Sequence, residues 1–242
     1  MTLIIDDLGY DRSEARRTLA LPPPFSVAIL PRAPHARAIA RAARRAGTDV
    51  LVHMPMSGSA EAQEPGVLHG DMNRTELQAG VRSALVEIPE AIGVSNHQGS
   101  ALTANRAAMR AIMQALTRWS RPLLFVDSRT TAATEAERAA RAHGLAVARR
   151  HVFLDHVRTP AAIEAALRQW LERARRRGCG LAIGHPYPQT LQILARELPR
   201  LDGVERVDLP TYIERCGTTA KGVARQAQPN RHAPGRAEQT AR

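Results

Sequence analysis

Short apolar runs recur along the chain, each followed by a polar or glycine-containing turn and then by apolar positions at helical spacing. Leu3–Ile5, Phe25–Leu30, Val50–Val52, Ile92–Val94, Leu123–Val126, Leu145–Ala148 and Cys179–Ile183 read as strands, with Val204–Leu209 as a final one. His151–Asp155 continues toward a strand end or connection. Between the strands lie predicted helices. One runs from Pro34 to about Arg45 and stops at Gly47, and another opens at Asn73, whose spacing to Glu76 is that of a capping box. A third presents Ala108, Met109, Ile112, Met113 and Leu116 on one face, and a fourth runs from about Ala133 to His143. Pro160 opens a long helix with Ile163, Leu167, Trp170, Leu171 and Ala174 on its buried side, and Pro188–Leu198 is the last. Strand and helix alternate, and the strands are continuously apolar rather than alternating, so they are buried on both faces. An α/β fold with about seven mostly parallel strands, in a sheet or barrel, follows.

The 242 residues suffice for one core without staples, and the expected division is a folded domain over residues 1–213 and a polar, basic tail over 214–242. The tail has no hydrophobic period and too few apolar residues to offset its ordering entropy, so it is expected to be disordered. Residues 57–72 form a long irregular loop, a feature often tied to function. Cys179 sits in an apolar strand as a small hydrophobe and Cys216 at the edge of the tail; neither density nor spacing marks a disulfide framework or metal clip. The formal charge of +11 is carried almost entirely by arginine. It favours anionic surfaces through a salt-sensitive field, but no zinc finger or aromatic-rich basic stripe accompanies it, so no specific nucleic-acid partner is expected. No run reaches the roughly 20 apolar residues of a membrane span. Met1 already lies at the edge of the first strand, so no leader is expected from this sequence, and a cytoplasmic location stays open.

Candidate chemistry sits at the strand ends. Asp6 and Asp7, His53, Asn96 with His97, Asp127 with Arg129, and His185 each close an apolar run. In a parallel sheet or barrel all these ends share one face, so residues far apart in sequence converge. Singly, each aspartate reads equally well as a turn or cap residue and each histidine as structural; recurrence shifts the balance toward a site. Converging Asp and His side chains suit a divalent ion, with zinc the first candidate, bound by three protein ligands and one open position. No Gly-x-Gly-x-x-Gly follows the first strand, which removes a dinucleotide site.

The segments Leu3-Ile4-Ile5-Asp6-Asp7-Leu8-Gly9, Leu51-Val52-His53-Met54-Pro55-Met56, Gly93-Val94-Ser95-Asn96-His97-Gln98-Gly99-Ser100, Phe125-Val126-Asp127-Ser128-Arg129-Thr130, Val152-Phe153-Leu154-Asp155 and Ile183-Gly184-His185-Pro186, taken in order, resemble the divergent polysaccharide deacetylase family, related to NodB-type carbohydrate esterases. The resemblance covers roughly residues 2–213 and implies an irregular (β/α) barrel, usually in a bacterial envelope protein. It implies Asp6 as general base, Asp7 as metal aspartate, His53 as first metal histidine and His185 as general acid. Two positions depart from it. Ser57 stands where the second histidine of a His-x-x-x-His motif would fall, and Pro186 where an aspartate usually follows the late histidine. Convergence, not motif, offers His97 as the third ligand. Asp127 and Arg129 are expected to support the reaction, with Arg129 orienting a carboxylate or holding an acyl oxygen or anionic group, or else to form a structural pair. Asp155 is a candidate for orienting a histidine. The expected activity is metal-dependent removal of acyl groups, acetyl first, from a cell-wall glycan or other envelope carbohydrate. The alternative is an inactive relative that binds glycan or a protein partner.

Overall fold

The computed structural model describes residues 1–58 and 64–217; of the tail expected to be disordered from residue 214, Glu214–Cys216 belong to the last helix and residues 218–242 lie outside the described residues. The elements in order are β1 (Thr2–Leu8), α1 (Arg12–Leu19), β2 (Ser26–Ile29), α2 (Ala36–Arg45), β3 (Asp49–Met56), α3 (Arg74–Glu87), β4 (Gly93–Gln98), α4 (Arg106–Thr117), β5 (Leu124–Asp127), α5 (Ala136–Ala142), β6 (Ala146–Arg149), β7 (Val152–Phe153), α6 (Pro160–Arg177), β8 (Leu181–Gly184), α7 (Pro188–Glu197) and α8 (Leu209–Cys216). The capping box at α3 is present in full, with Asn73 and Glu76 satisfying each other's backbone N–H groups.

All strand pairs are parallel, in the order β6-β5-β4-β3-β2-β1-β8-β7. The two edge strands, β6 and β7, are separated in the chain by only Arg150 and His151. A flat sheet of this width would hold its edges about 34 Å apart at the usual strand spacing, whereas three residue steps reach about 11 Å at most. The sheet must therefore curl into a half-barrel. Residues 146–153 bridge its opening by changing partner: the Arg150 N–H still donates to Asp127 O on β5 (2.9 Å), and the His151 N–H donates to Leu181 O on β8 (2.9 Å). Counted as one segment they restore the expected seven strands; counted by pairing they make eight. The seam is reinforced by the His151 ring, whose Nδ1 accepts from the Leu181 N–H (3.1 Å). Burial and the charges of Arg173, Arg149 and Arg129 lower the His151 pKa to about 4, which keeps that nitrogen an acceptor.

Apolar side chains fill both faces. Leu3, Ile5, Val27, Ile29, Val50, Val52, Val94 and Phe125 point outward against the helices. Ile4, Ala28, Leu51, Val126, Ala148, Leu181 and Ile183 point inward, where Leu209, Tyr212 and Ile213 of α8 plug the barrel floor. This corrects the strand expected over Val204–Leu209. That segment is not a strand; Val207 N–H donates to Met1 O (3.0 Å), and the apolar spacing Leu209, Tyr212, Ile213, Cys216 belongs to a helix capped by Asp208. α1, unassigned from sequence, is likewise capped by Asp11.

The cysteines, read as unrelated, are joined: Cys179–Cys216 is a disulfide across 37 positions. It ties the end of the plug helix to the start of the β8 region. Replacing Cys216 by serine is expected to lower the unfolding free energy by about 2–4 kcal/mol, from the loop entropy restored to the unfolded chain. Urea denaturation without reductant measures it; a loss under about 0.5 kcal/mol would show that the bridge adds nothing beyond the plug's packing.

Candidate metal and acid-base site

The inner face of the half-barrel changes character along its length. Ile4, Leu51 and Ile183 near the floor are followed two residues later by Asp6, His53 and His185, because successive inward positions lie two apart in a strand. On β4 the same step leads from Ser95 to His97. The polar groups thus gather at the C-terminal ends of the strands, in a cleft of about 460 Å³ that Asp6, Asp7, His53, His97, Arg129, Arg150 and His185 help to line.

Asp7 breaks this alternation. Regular pleating would turn it outward with Leu3 and Ile5, but β1 shifts register between Ile5 and Leu8 and Asp7 takes a left-handed backbone, φ 60°. Such a bulge re-aims a side chain, and an aspartate tolerates it better than most residues. Gly9 completes the turn at φ 140°; a Cβ there would lie 2.5 Å from that of Ala33. The result places Asp7 Oδ1 at 2.8 Å from His97 Nδ1 and 3.1 Å from His53 Nε2. One ligand atom from each of these three residues lies within 4.8 Å of the others.

The outer nitrogens of His53 and His185 are hydrogen-bonded, whereas that of His97 has only a nearby carboxylate. His53 Nδ1 meets the Ser95 hydroxyl at 2.8 Å, across the register pair His53–Ser95. His97 Nε2 lies 3.5 Å from Glu64 Oε1. His185 Nδ1 is 2.8 Å from Asp155 Oδ1, while Asp155 Oδ2 accepts from the His185 N–H (2.7 Å) and the Thr190 hydroxyl (2.8 Å). This fixes His185 Nε2 toward the cleft, 3.6 Å from Asp7 Oδ2. Asp155 is therefore a histidine orienter, as its sequence position suggested.

The donor set fits a divalent ion. Asp7 Oδ1 is buried without a well-formed hydrogen bond although two ring nitrogens face it, the arrangement of donors that share a cation. The Ser95 contact to the far nitrogen of His53 is the usual second layer of such a site, and Glu64 lies near that of His97. Burial alone would raise the Asp7 pKa, but His53 and His97 outweigh it and hold the carboxyl far below the ordinary range. Asp6 differs: burial dominates and pushes its pKa up, only partly opposed by His53 and His185, and its Oδ1 has no partner. Burial lowers the His185 pKa, yet the Asp155 hydrogen bond and the charges of Asp7, Asp155 and Asp6 carry it above the usual value.

Asp127 and Arg129 do not form the expected side-chain pair. Asp127 accepts from the Arg129 backbone N–H (2.8 Å) and the Thr134 hydroxyl (3.0 Å), so its carboxylate braces the loop after β5. Asn96 does the same between loops, accepting from the Ser128 N–H (2.8 Å) and donating to Gln98 O (2.8 Å). Sequence reasoning missed three residues here. Ser95 was legible as the inward neighbour two before His97, whereas Arg150 was hidden in an arginine-rich chain and Glu64 in an irregular loop. His143 caps α5 through Ala139 O, and His232 lies outside the described residues.

A parallel half-barrel with polar Asp and His groups gathered at its strand ends is a deacetylase-like fold. The chain belongs to the divergent polysaccharide deacetylase family, whose profile matches residues 3–211. It is 40% identical over 195 residues to the uncharacterized protein YibQ of Escherichia coli strain K12, an alignment covering 80% of this chain and 60% of that protein. The chain thus spans about three fifths of that relative's length. An uncharacterized protein of Agrobacterium tumefaciens C58, ATU2773, superposes with TM-score 0.80 at 22% identity over 87% of each chain. A mutant of BA3943, described as a CE4 family pseudoenzyme, superposes with TM-score 0.51 at 14% identity over 88% of this chain and 66% of its own.

Proposed function

We propose that the protein is a metal-dependent hydrolase that removes acyl groups, acetyl first, from a cell-envelope carbohydrate. The observation that carries this is the convergence of Asp7, His53 and His97 beside an unpartnered, buried Asp6 and an oriented His185. A divalent ion held by the three would polarise the acyl oxygen and acidify water, with zinc the first candidate. Asp6, with its raised pKa, takes a proton from the attacking water. His185, its Nδ1 held by Asp155, delivers a proton from Nε2 to the departing nitrogen or oxygen. The disulfide supports an oxidising compartment, and with it an envelope location. Among the described residues no helix is long and apolar enough to cross a membrane.

The test is acetate release from N-acetylated chitooligosaccharide or peptidoglycan by zinc-loaded protein, with and without chelator. Absence of release on both, from protein shown by elemental analysis to hold stoichiometric metal, would favour a binding protein without turnover. That second reading is motivated by Ser57 and Pro186; the position of His97 beside Asp7 and His53 weighs against the first of these, since it would supply the third donor.

Asp155→Asn bears on the acid. Losing the carboxylate removes a group that raises the His185 pKa, so the imidazole deprotonates at lower pH. A general acid works only while protonated, so the alkaline limb of the kcat/KM profile is expected to move to lower pH. An alkaline limb that stays in place would show that it does not belong to His185.

A further inference from the structure

The proposed reaction employs no arginine, yet two guanidinium groups stand at the cleft. Arg129 and Arg150 both help to line it, and neither has a carboxylate within 4.0 Å among the described residues. Some other arginines are ion-paired, as in Arg37 with Glu87, Arg141 with Glu137 and Arg215 with Glu205.

Arg129 is held in place with some effort. Its backbone is left-handed, φ 48°, a conformation uncommon outside glycine that tends to persist where surrounding contacts enforce it for a purpose. The enforcing contacts are two. Asp127 accepts its N–H at 2.8 Å, and Arg150 Nη2 donates to its carbonyl at 2.8 Å. Arg150 also donates from Nε to Ser128 O (2.6 Å), and its guanidinium stacks 4.9 Å from the Phe153 ring centroid. Burial lowers the Arg150 pKa, and the charge of Asp6 only partly opposes that. Among the described residues the Arg129 side chain donates to no protein acceptor; the residue is half-buried on a braced backbone and lines both this cleft and the neighbouring pocket with Thr134, Glu137 and Arg149.

We propose that Arg129, backed by Arg150, receives a carboxylate carried by the saccharide, so that the preferred substrate is an acidic N-acylated sugar rather than a neutral one. A guanidinium matches a carboxylate in a two-point contact, and partial burial strengthens that contact relative to water. Phe153, beneath Arg150, keeps the approach apolar and limits competing hydration. The assignment of substrate class rests on the hydrolase reading; the presence of an anion subsite does not.

Three disaccharides test it with metal-loaded protein: N-acetylglucosaminyl-N-acetylmuramic acid, the same compound with its carboxyl group reduced to an alcohol, and N,N′-diacetylchitobiose. Acetate release gives kcat/KM and calorimetry gives affinity. The expected result is an acid-over-reduced ratio of at least about tenfold, the scale of one charge-assisted contact. The ratio should fall toward one in Arg129→Gln and persist in part in Arg129→Lys, with melting temperatures confirming that both variants fold. Release with equal kcat/KM for the acidic and reduced forms overturns the anion subsite and leaves the hydrolase reading standing. If no sugar is hydrolysed, tighter binding of the acidic form that disappears in Arg129→Gln upholds the subsite and removes the hydrolase reading. Equal affinity for the acidic and reduced forms, or no binding of either, overturns the subsite.

Discussion

Asparagine in place of Asp6 is expected to lower kcat for acyl hydrolysis by about 10²–10⁴-fold, the usual contribution of a positioned base, while leaving the metal content at the wild-type level. Asp6 and Asp7 are adjacent but differ in environment. Asp6 follows the regular inward alternation of β1 and is 2% exposed, with Oδ2 3.5 Å from His53 Nε2 and Oδ1 unpartnered. Burial raises its pKa, so its carboxylate accepts a proton more readily than an exposed one. Asp7 is swung into the cluster by the bulge and held far below the ordinary range by two histidines, which suits a ligand and not a base. The asparagine keeps the shape of Asp6 but cannot take the proton. Asp7→Asn, by contrast, should lose metal. Elemental analysis beside initial rates separates the two; equal metal loss in both variants would show that the duties are not divided as proposed.

Alanine in place of His97 should weaken metal binding by more than the roughly 10–100-fold that follows loss of an outer partner, because it removes one of three donors. Ser95→Ala supplies that milder comparison, since it frees only the far nitrogen of His53. Competition against a chromogenic chelator measures both. The contrast is informative because His97, not position 57, is the proposed third donor: β4 lies beside β3, with Pro55 paired to His97, so its ring comes to 4.9 Å from that of His53. Wild-type affinity in His97→Ala would remove it from the ligand set and reopen the question of what completes the site.

Much of the architecture was legible because its signals are local. Continuous apolar runs closed by polar residues, the Asn73–Glu76 cap and the glycine stops reflect backbone geometry and burial on both faces, which act over a few residues. The same regularity located the candidate site, since all parallel strands end on one side and Asp6, His53, His97 and His185 each close a run. Val204–Leu209 was misread because a short apolar stretch does not reveal its period, and the helix that follows takes its meaning from the barrel floor it fills.

What the sequence by itself determined is the parallel α/β class, the strand-end face and the identity of most polar groups on it. The tertiary structure decided how those groups are used. Only the curled sheet, bridged at Arg150 and His151, brings β5 and β8 around one cleft, and only the bulge at Asp7 turns an outward position inward. Cys179 and Cys216 meet because α8 folds back under the barrel, and Asp127 serves its own loop because its oxygens find Arg129 N–H and Thr134 there. Each of these depends on contacts between segments distant in the chain or on a local departure from regular pleating, and neither leaves a period in the sequence.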